Sequence, residues 1–502
     1  MAGPVQDEKN VVFLHPDLGI GGAERLVIDA AVGLQSLGHN VTVLTSYCDP
    51  GHSFEETQDG TLDVRVRGDT LFPPSIGGRL SILFSILRQL SLVLTSGVLT
   101  SELRKLDPDV FIVDQLSSCI PLLRFLYPKA RILFYGHYPD QLLLREFGSG
   151  IMRPIRMVYR IPFDFIESWT TGCADAIAVN SKFTRNIFRR TFPALRSRDL
   201  KVIYPCVDTD DLALQNRTDS IWQDKKILLS INRFECKKDL ALAIKAYAGL
   251  AEEERTNAKL VLAGGFDPRN PENAECYGMM RNLTESLNLT HTTFRPQDTG
   301  FADLATASVD VLFLLSIPHE LKTRLLNSAS LLVYTPSDEH FGIVPLEAMV
   351  AGVPVLATNT GGPLETVYDG RTGWLRSPNK TEAWTEVMRK VLIPSNEDAL
   401  QRMGEQGRQR VQMEFSRTNM TDAFNREIQQ LTQRSGTRPR VVPDWVWYTY
   451  ITSLVALVCA ILAFFILPPS ISQIRLHNLR GLMKHANGVP SNGQPKTAKA
   501  YL

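Results

Sequence analysis

Short runs of β-branched and aliphatic residues alternate with longer amphipathic stretches from the start of the chain. VVFLH (11 to 15) precedes a stretch from Ala23 to about Leu37 with apolar residues at helical spacing, stopped by Gly38, and then comes VTVLT (41 to 45). Strand, helix, strand predicts a parallel pair, because a parallel connection needs a crossover long enough to hold a helix. The alternation continues through DVFIVD (109 to 114), RILFYG (131 to 136), AIAVN (176 to 180) and KVIYP (201 to 205). It restarts with KILLSI (226 to 231), KLVLAGG (259 to 265), VLFLL (311 to 315), LLVYT (331 to 335) and PVLAT (354 to 358). The expected fold is α/β, with two doubly wound, Rossmann-like domains facing a crevice. Residues 206 to 223, including VDTDDLALQNRTDS, are polar with neither periodicity. They predict a linker between an N-terminal domain, 1 to 205, and a C-terminal domain, 224 to 434, whose last part from Thr381 to Arg434 is helical only.

Two segments break this rhythm. Val446 to Leu467 is 22 residues without a charge, about 33 Å as a helix against a hydrocarbon core of roughly 30 Å, and predicts a C-terminal transmembrane helix. Trp445, Trp447, Tyr448 and Tyr450 gather at its start and Pro468-Pro469 closes it, as an interfacial belt and a helix stop would. Arginines and lysines flank both ends, so orientation stays open. Leu80 to Leu99 is amphipathic, interrupted by Arg88 and Gln89; it fits an ordinary core helix and a helix lying at a membrane interface equally. The polar tail from 485 to 502 is expected to be disordered.

Composition narrows the classes. The 502 residues are 44% hydrophobic, enough for large cores, and a net charge of +1 gives no basic field for nucleic acid, which is excluded as a partner. The seven cysteines are scattered without CxxC pairs, which reads as core thiols in a reducing compartment. The first ten residues carry no secretory signal pattern. The N-x-[ST] sequons, Asn40 among them at the edge of VTVLT, read as chance matches on a cytosol-facing domain.

Candidate chemistry lies in three loops, each after a strand. Gly19-Ile20-Gly21-Gly22-Ala23-Glu24-Arg25 separates the first strand and helix; its glycines permit close approach and the following helix favours an anion. Arg233-Phe234-Glu235-Cys236-Lys237-Lys238 follows KILLSI and puts a planar fork and point charges where a diphosphate would lie. SDEHFGIVPLEAM (337 to 349) follows LLVYT and holds Glu339 and Glu347 seven residues apart. A carboxylate accepts two hydrogen bonds, which suits vicinal hydroxyls of a sugar or ribose. Nothing in this spacing chooses guanine over uracil, and the residues alone are compatible with another nucleotide-sugar transferase or a non-catalytic, membrane-anchored nucleotide-sugar binding protein.

GGAER, Arg233 with Lys238, E-x7-E in EHFGIVPLE, then AGVPVLATNTGGPLETV and GRTGWL resemble the retaining glycosyltransferases of family four, with the GT-B fold, over residues 10 to 430 or so. The resemblance implies that Glu347 binds the donor ribose, Glu339 the transferred sugar, and Arg233 with Lys238 or Lys237 the donor diphosphate. It implies that His137 of YGHYPD stands beside that sugar, that Gly21 and Gly22 lie near phosphate or acceptor, and that the amides of Phe341, Gly342, Ile343 and Val344 meet sugar hydroxyls. YGHYPDQLL, NRFECKKDLALAI and TPSDEHFGIVPLEAM are similar to the members of that family that act in dolichol-linked oligosaccharide assembly. These imply a retaining enzyme that moves mannose from GDP-mannose to mannosyl-chitobiosyl-diphosphodolichol, by an α-1,3 and then an α-1,6 link. Endoplasmic reticulum localisation with cytosolic catalytic domains, and contact with other enzymes of the pathway, follow from the same resemblance. No metal or other cofactor is expected, since Asp208-Thr209-Asp210 falls in the linker.

Overall fold

In the computed structural model the described residues are 7–68, 71–75, 81–143, 153–209, 221–222, 224–295, 308–434, 449 and 452; side chains of 143 and 153–159 are not among them. All of the expected transmembrane helix except residues 449 and 452, the polar tail and most of the linker therefore lie outside the described residues.

Among the described residues fourteen strands form two seven-stranded sheets. The first is built from β1 (Asn10–Leu18), β2 (Asn40–Cys48), β3 (Asp63–Val66), β4 (Val110–Asp114), β5 (Arg131–Gly136), β6 (Ala176–Val179) and β7 (Leu200–Val202). The second uses β8 (Lys226–Ile231), β9 (Ala258–Gly264), β10 (His291–Phe294), β11 (Val311–Leu315), β12 (Ala329–Tyr334), β13 (Val355–Thr358) and β14 (Gly373–Arg376). Their orders are β3-β2-β1-β4-β5-β6-β7 and β10-β11-β9-β8-β12-β13-β14, and neighbouring strands run parallel. Central strands such as β4, β9 and β11 are buried along their whole length, because helices cover both faces and leave no solvent side to be polar. Chain order reverses between β1 and β4 and again between β8 and β12, and loops leaving carboxyl ends at such a switch point part to form a crevice.

The spatial division departs from the expected boundary at 434. The helix Arg417–Gln433 packs Met420, Phe424, Ile428 and Leu431 into the core of the first sheet, with Phe13, Ile28 and Leu34. The chain thus leaves the first domain near Val207 and returns near Phe415, and the two crossings are joined by the Val207 amide donating to the Phe415 carbonyl at 3.1 Å. Arg417 adds ion pairs to Asp208 and Asp29 at 3.1 and 3.3 Å.

The helix Ser81–Leu94, extended by a π turn over Thr95–Leu99, is long and apolar enough to cross a membrane. Its interruption points inward, however: Arg88 pairs with Asp17 at 2.7 Å and Gln89 donates to the Leu116 carbonyl at 2.6 Å. Half of its most apolar window is buried in the protein. The thiols also divide. Cys119, Cys173, Cys206 and Cys276 are buried, but Cys48 is half-buried and Cys236 exposed, so those two are not core thiols; Cys459 lies outside the described residues.

Candidate active site

The second switch point brings together two residues 101 positions apart. Lys238 ends a 3-10 turn after β8, Glu339 sits in the loop after β12, and Lys238 Nζ meets Glu339 Oε2 at 2.5 Å. Thr335, just past β12, donates to the Lys238 carbonyl at 2.6 Å and ties the two loops together. Burial opposes charge on Glu339, but Lys238, and further out His340 and Lys237, hold its carboxyl below the usual range. Burial also pushes His340 down to about 4 against the pull of Glu339, so its ring is neutral at pH 7. Burial and then Glu339 push the Tyr334 hydroxyl well up, which keeps it a donor.

Glu347 lies in the first turn of the helix Val344–Val350. Lys322, on the helix His319–Ser328, donates to Glu347 Oε1 at 2.7 Å, while Oε2 is buried without a hydrogen-bond partner. Phe341 turns its ring into the core against Tyr204, 5.6 Å between centroids, so only its backbone is available to a ligand. Gly342 adopts φ +86 with its α-carbon face against Tyr334, where a side chain would be strained. First-turn amides of the helix that follows have no intrahelical acceptor and are free to meet oxygens.

Arg233 and Lys237 stand differently from Lys238. Their side chains are 70% and 51% exposed and share Glu235 at 3.3 Å each, so both remain open to an incoming anion. The two lysines that the sequence left interchangeable are thus separated, Lys238 against Glu339 and Lys237 outward.

The first switch point holds a chain of titratable groups. Asp114, at the end of β4, accepts from His137 Nε2 on one oxygen and His15 Nδ1 on the other, each at 2.8 Å. His15 Nε2 is buried without a hydrogen bond and points toward Glu24 Oε1, 3.9 Å away. Burial opposes the charge on Asp114, yet His137 and His15 hold it down at about 2; burial likewise opposes charge on His15, yet Asp114 and Glu24 raise it to about 9. The Nε2–H of His137 donates to the ionised Asp114, which leaves Nδ1 as the second ring nitrogen. Glu24 folds back over Gly21, where a β-carbon would come within 2.3 Å of its carboxylate, and one on Gly22 would stand 3.8 Å from Ile343 of the opposite domain. His340 spans the same gap, stacked on Tyr138 with ring centroids 3.8 Å apart.

Gly22 approaches Ile343, and Tyr138, next to His137, stacks on His340, next to Glu339, so the loops of the two domains meet along one gap. Sequence reasoning missed Lys322, Asp114, His15 and Glu24 as partners. Asp114 ends the apolar run DVFIVD and Glu24 lies within GGAER, but neither position by itself names its partner. Two doubly wound domains with a basic and acidic loop pair at their facing strand ends are the GT-B arrangement of the nucleotide-sugar glycosyltransferases.

Comparison with known proteins agrees. The family described as Glycosyltransferase Family 4 matches residues 20–211, and the one described as Glycosyl transferases group 1 matches residues 215–410. The chain is similar to the α-1,3/1,6-mannosyltransferase alg-2 of Neurospora crassa, 53% identical over 435 residues, which cover 85% of this chain and 91% of that one. The α-1,3/1,6-mannosyltransferase of Saccharomyces cerevisiae is 42% identical over 446 residues, covering 85% and 86%. Among solved structures, sucrose-phosphate synthase from Thermosynechococcus elongatus shares the fold with a TM-score of 0.62 at 19% identity, covering 85% of this chain and 99% of that one. A glycosyltransferase from Rickettsia africae does so with a TM-score of 0.60 at 15%, covering 86% and 100%. The chain belongs to the α-1,3/1,6-mannosyltransferase family within the family-four glycosyltransferases.

Proposed function

We propose that this protein transfers mannose from GDP-mannose, with retention, to mannosyl-chitobiosyl-diphosphodolichol, first through an α-1,3 link and then through an α-1,6 link, in the assembly of the N-glycan precursor. The observation that carries this reading is the identity of 42% and 53% with two relatives that both bear the name α-1,3/1,6-mannosyltransferase. The geometry supports roles for individual residues. Glu347 Oε2 takes the ribose hydroxyls, and Lys322 holds the other oxygen in place. Glu339 takes a hydroxyl of the transferred mannose, as do the amides from Phe341 to Val344. Lys238, with Arg233 and Lys237, neutralises the departing diphosphate, work that a metal ion does in other transferases. His137, fixed by Asp114, faces the sugar from the other domain, and Gly21-Gly22 admits the acceptor. In the front-face route the departing phosphate oxygen takes the acceptor proton as the new glycosidic bond forms on the face the phosphate leaves, so no side chain becomes a covalent intermediate.

The lipid acceptor fits an enzyme of the endoplasmic reticulum membrane with its catalytic domains on the cytosolic face, beside other enzymes of the pathway. Pure full-length protein incubated with GDP-mannose and a short-chain lipid acceptor, followed by linkage determination, tests the reading. Transfer from GDP-mannose with both linkages is expected, with competition by GDP and not by UDP. Preference for another nucleotide sugar, or no transfer, overturns it. The same assay after thorough chelation is expected to keep most of its rate. Complete loss, restored by one divalent ion, would mean that the cations of the β8 loop do not carry the charge.

A further inference from the structure

The loop from Thr360 to Glu365 does two things at once. It lies directly under the Glu339 turn: the Gly362 amide donates to the Glu339 carbonyl at 2.7 Å. A β-carbon on Gly361 would come 2.6 Å from that carbonyl oxygen and one on Gly362 would come 2.1 Å from the Phe341 carbonyl, so the approach requires glycine at both positions. Three residues on, Glu365 reaches into the other domain. Its Oε2 accepts from the Lys182 amide at 2.8 Å and the Tyr204 hydroxyl at 3.0 Å, and its Oε1 accepts from the Phe183 amide at 2.8 Å.

Lys182 and Phe183 begin the helix Lys182–Thr191, where amides have no intrahelical acceptor and the helix end favours a negative charge. The Ser181 hydroxyl, at the same helix start, donates to the His340 carbonyl at 2.5 Å. The residues bracketing Glu339, beneath it and after it, are thus tied to one helix end of the opposite domain.

We propose that Glu365 is a positioning residue for glycosyl transfer: its carboxylate clasps the Lys182–Thr191 helix across the crevice and thereby fixes how Glu339 stands against His137. This rests on the reading of Glu339 as a contact of the transferred sugar. Glu365 itself touches no part of the nucleotide pocket formed by Glu347 and Lys322. Its removal should leave nucleotide binding intact and slow the transfer.

Hydrogen–deuterium exchange of the amides of Lys182 and Phe183 in the full-length protein reads the clasp without using activity. In Glu365→Ala their exchange is expected to rise about 10- to 100-fold, the scale of a lost hydrogen bond to a charged group. Turnover is expected to fall by a similar factor while GDP affinity stays within about twofold. Glu365→Gln keeps a neutral acceptor and should fall between wild type and Glu365→Ala in both readouts. Tyr204→Phe, which keeps the ring on Phe341, tests the same clasp with a smaller change of the same sign should Glu365→Ala fail to fold. Unchanged exchange overturns the clasp. Faster exchange with unchanged turnover, or equal losses of GDP affinity and turnover, overturns the positioning role. A wild-type protein that transfers no mannose removes the functional reading, and the exchange measurement still decides the clasp.

Discussion

Lys322 holds one carboxylate oxygen of Glu347 at 2.7 Å and leaves the other, Oε2, buried and without a partner. A buried acceptor left unmade is costly, and it becomes an asset when a ligand supplies the donor. This half-satisfied carboxylate is what separates Glu347 from an ordinary helix-face charge.

Glu347→Ala is therefore expected to weaken GDP binding by about 1.5 to 3 kcal/mol, the range for hydrogen bonds to a charged group. Lys322→Ala should weaken it less, by about 1 kcal/mol, because on the proposed reading Lys322 only orients the carboxylate that meets the ribose. Titration calorimetry with GDP, with circular dichroism to establish folding, measures both.

Glu339→Ala should separate from these variants. Its carboxylate faces Lys238 and, on the proposed reading, the transferred sugar, so turnover is expected to fall by about 10² to 10³, the scale of one preorganised electrostatic contact, with GDP affinity little changed. Steady-state transfer rates and GDP calorimetry on one preparation check it. Equal effects on GDP binding from Glu339→Ala and Glu347→Ala would place both carboxylates on the nucleotide.

The two glutamates were legible in the sequence because both lie in one short stretch after an apolar strand, Glu339 in the loop and Glu347 in the first turn of the helix that follows. Lys322 and Asp114 were not, since their partners lie 25 residues away at Glu347 and 99 away at His15. Pairing of β1 with β4 brings His15 to Asp114, and the packing of two helices brings Lys322 to Glu347; no local pattern encodes either contact. The fold divides the same way. Central strands announce themselves as apolar runs, whereas β3, β10 and β14 passed unnoticed. All three are sheet edges, and their mostly half-exposed residues lack the apolar run that marks a buried strand. The return of Arg417–Gln433 to the first domain was equally hidden, because an amphipathic helix shows that it has a partner without showing which.

The Asp114 pair predicts a pH dependence. His15, raised from 6.5 to about 9, contributes stability fully below pH 6.5 and loses it as pH rises through 9. Asp114, lowered from 3.8 to about 2, contributes fully above pH 3.8 and loses it as pH falls through 2. Asp114→Asn should therefore cost most between those limits, about 3 kcal/mol for breaking a buried pair, with the gap to wild type narrowing toward alkaline pH. It should also slow turnover by releasing His137. Thermal melts of both proteins at about pH 5.5 and about pH 9.5 test the sign.

The pinned crossing at Val207 and Phe415 bears on how the crevice opens. Because the second domain is entered and left at one hydrogen-bonded point, it is an insertion within the first and is held by two adjacent covalent tethers. A single tether lets a body swivel in any direction; two side by side restrain that swivel and favour swinging about a line near both, as a door swings on its jamb. Each return stroke would then bring Glu339 back toward the same place opposite His137.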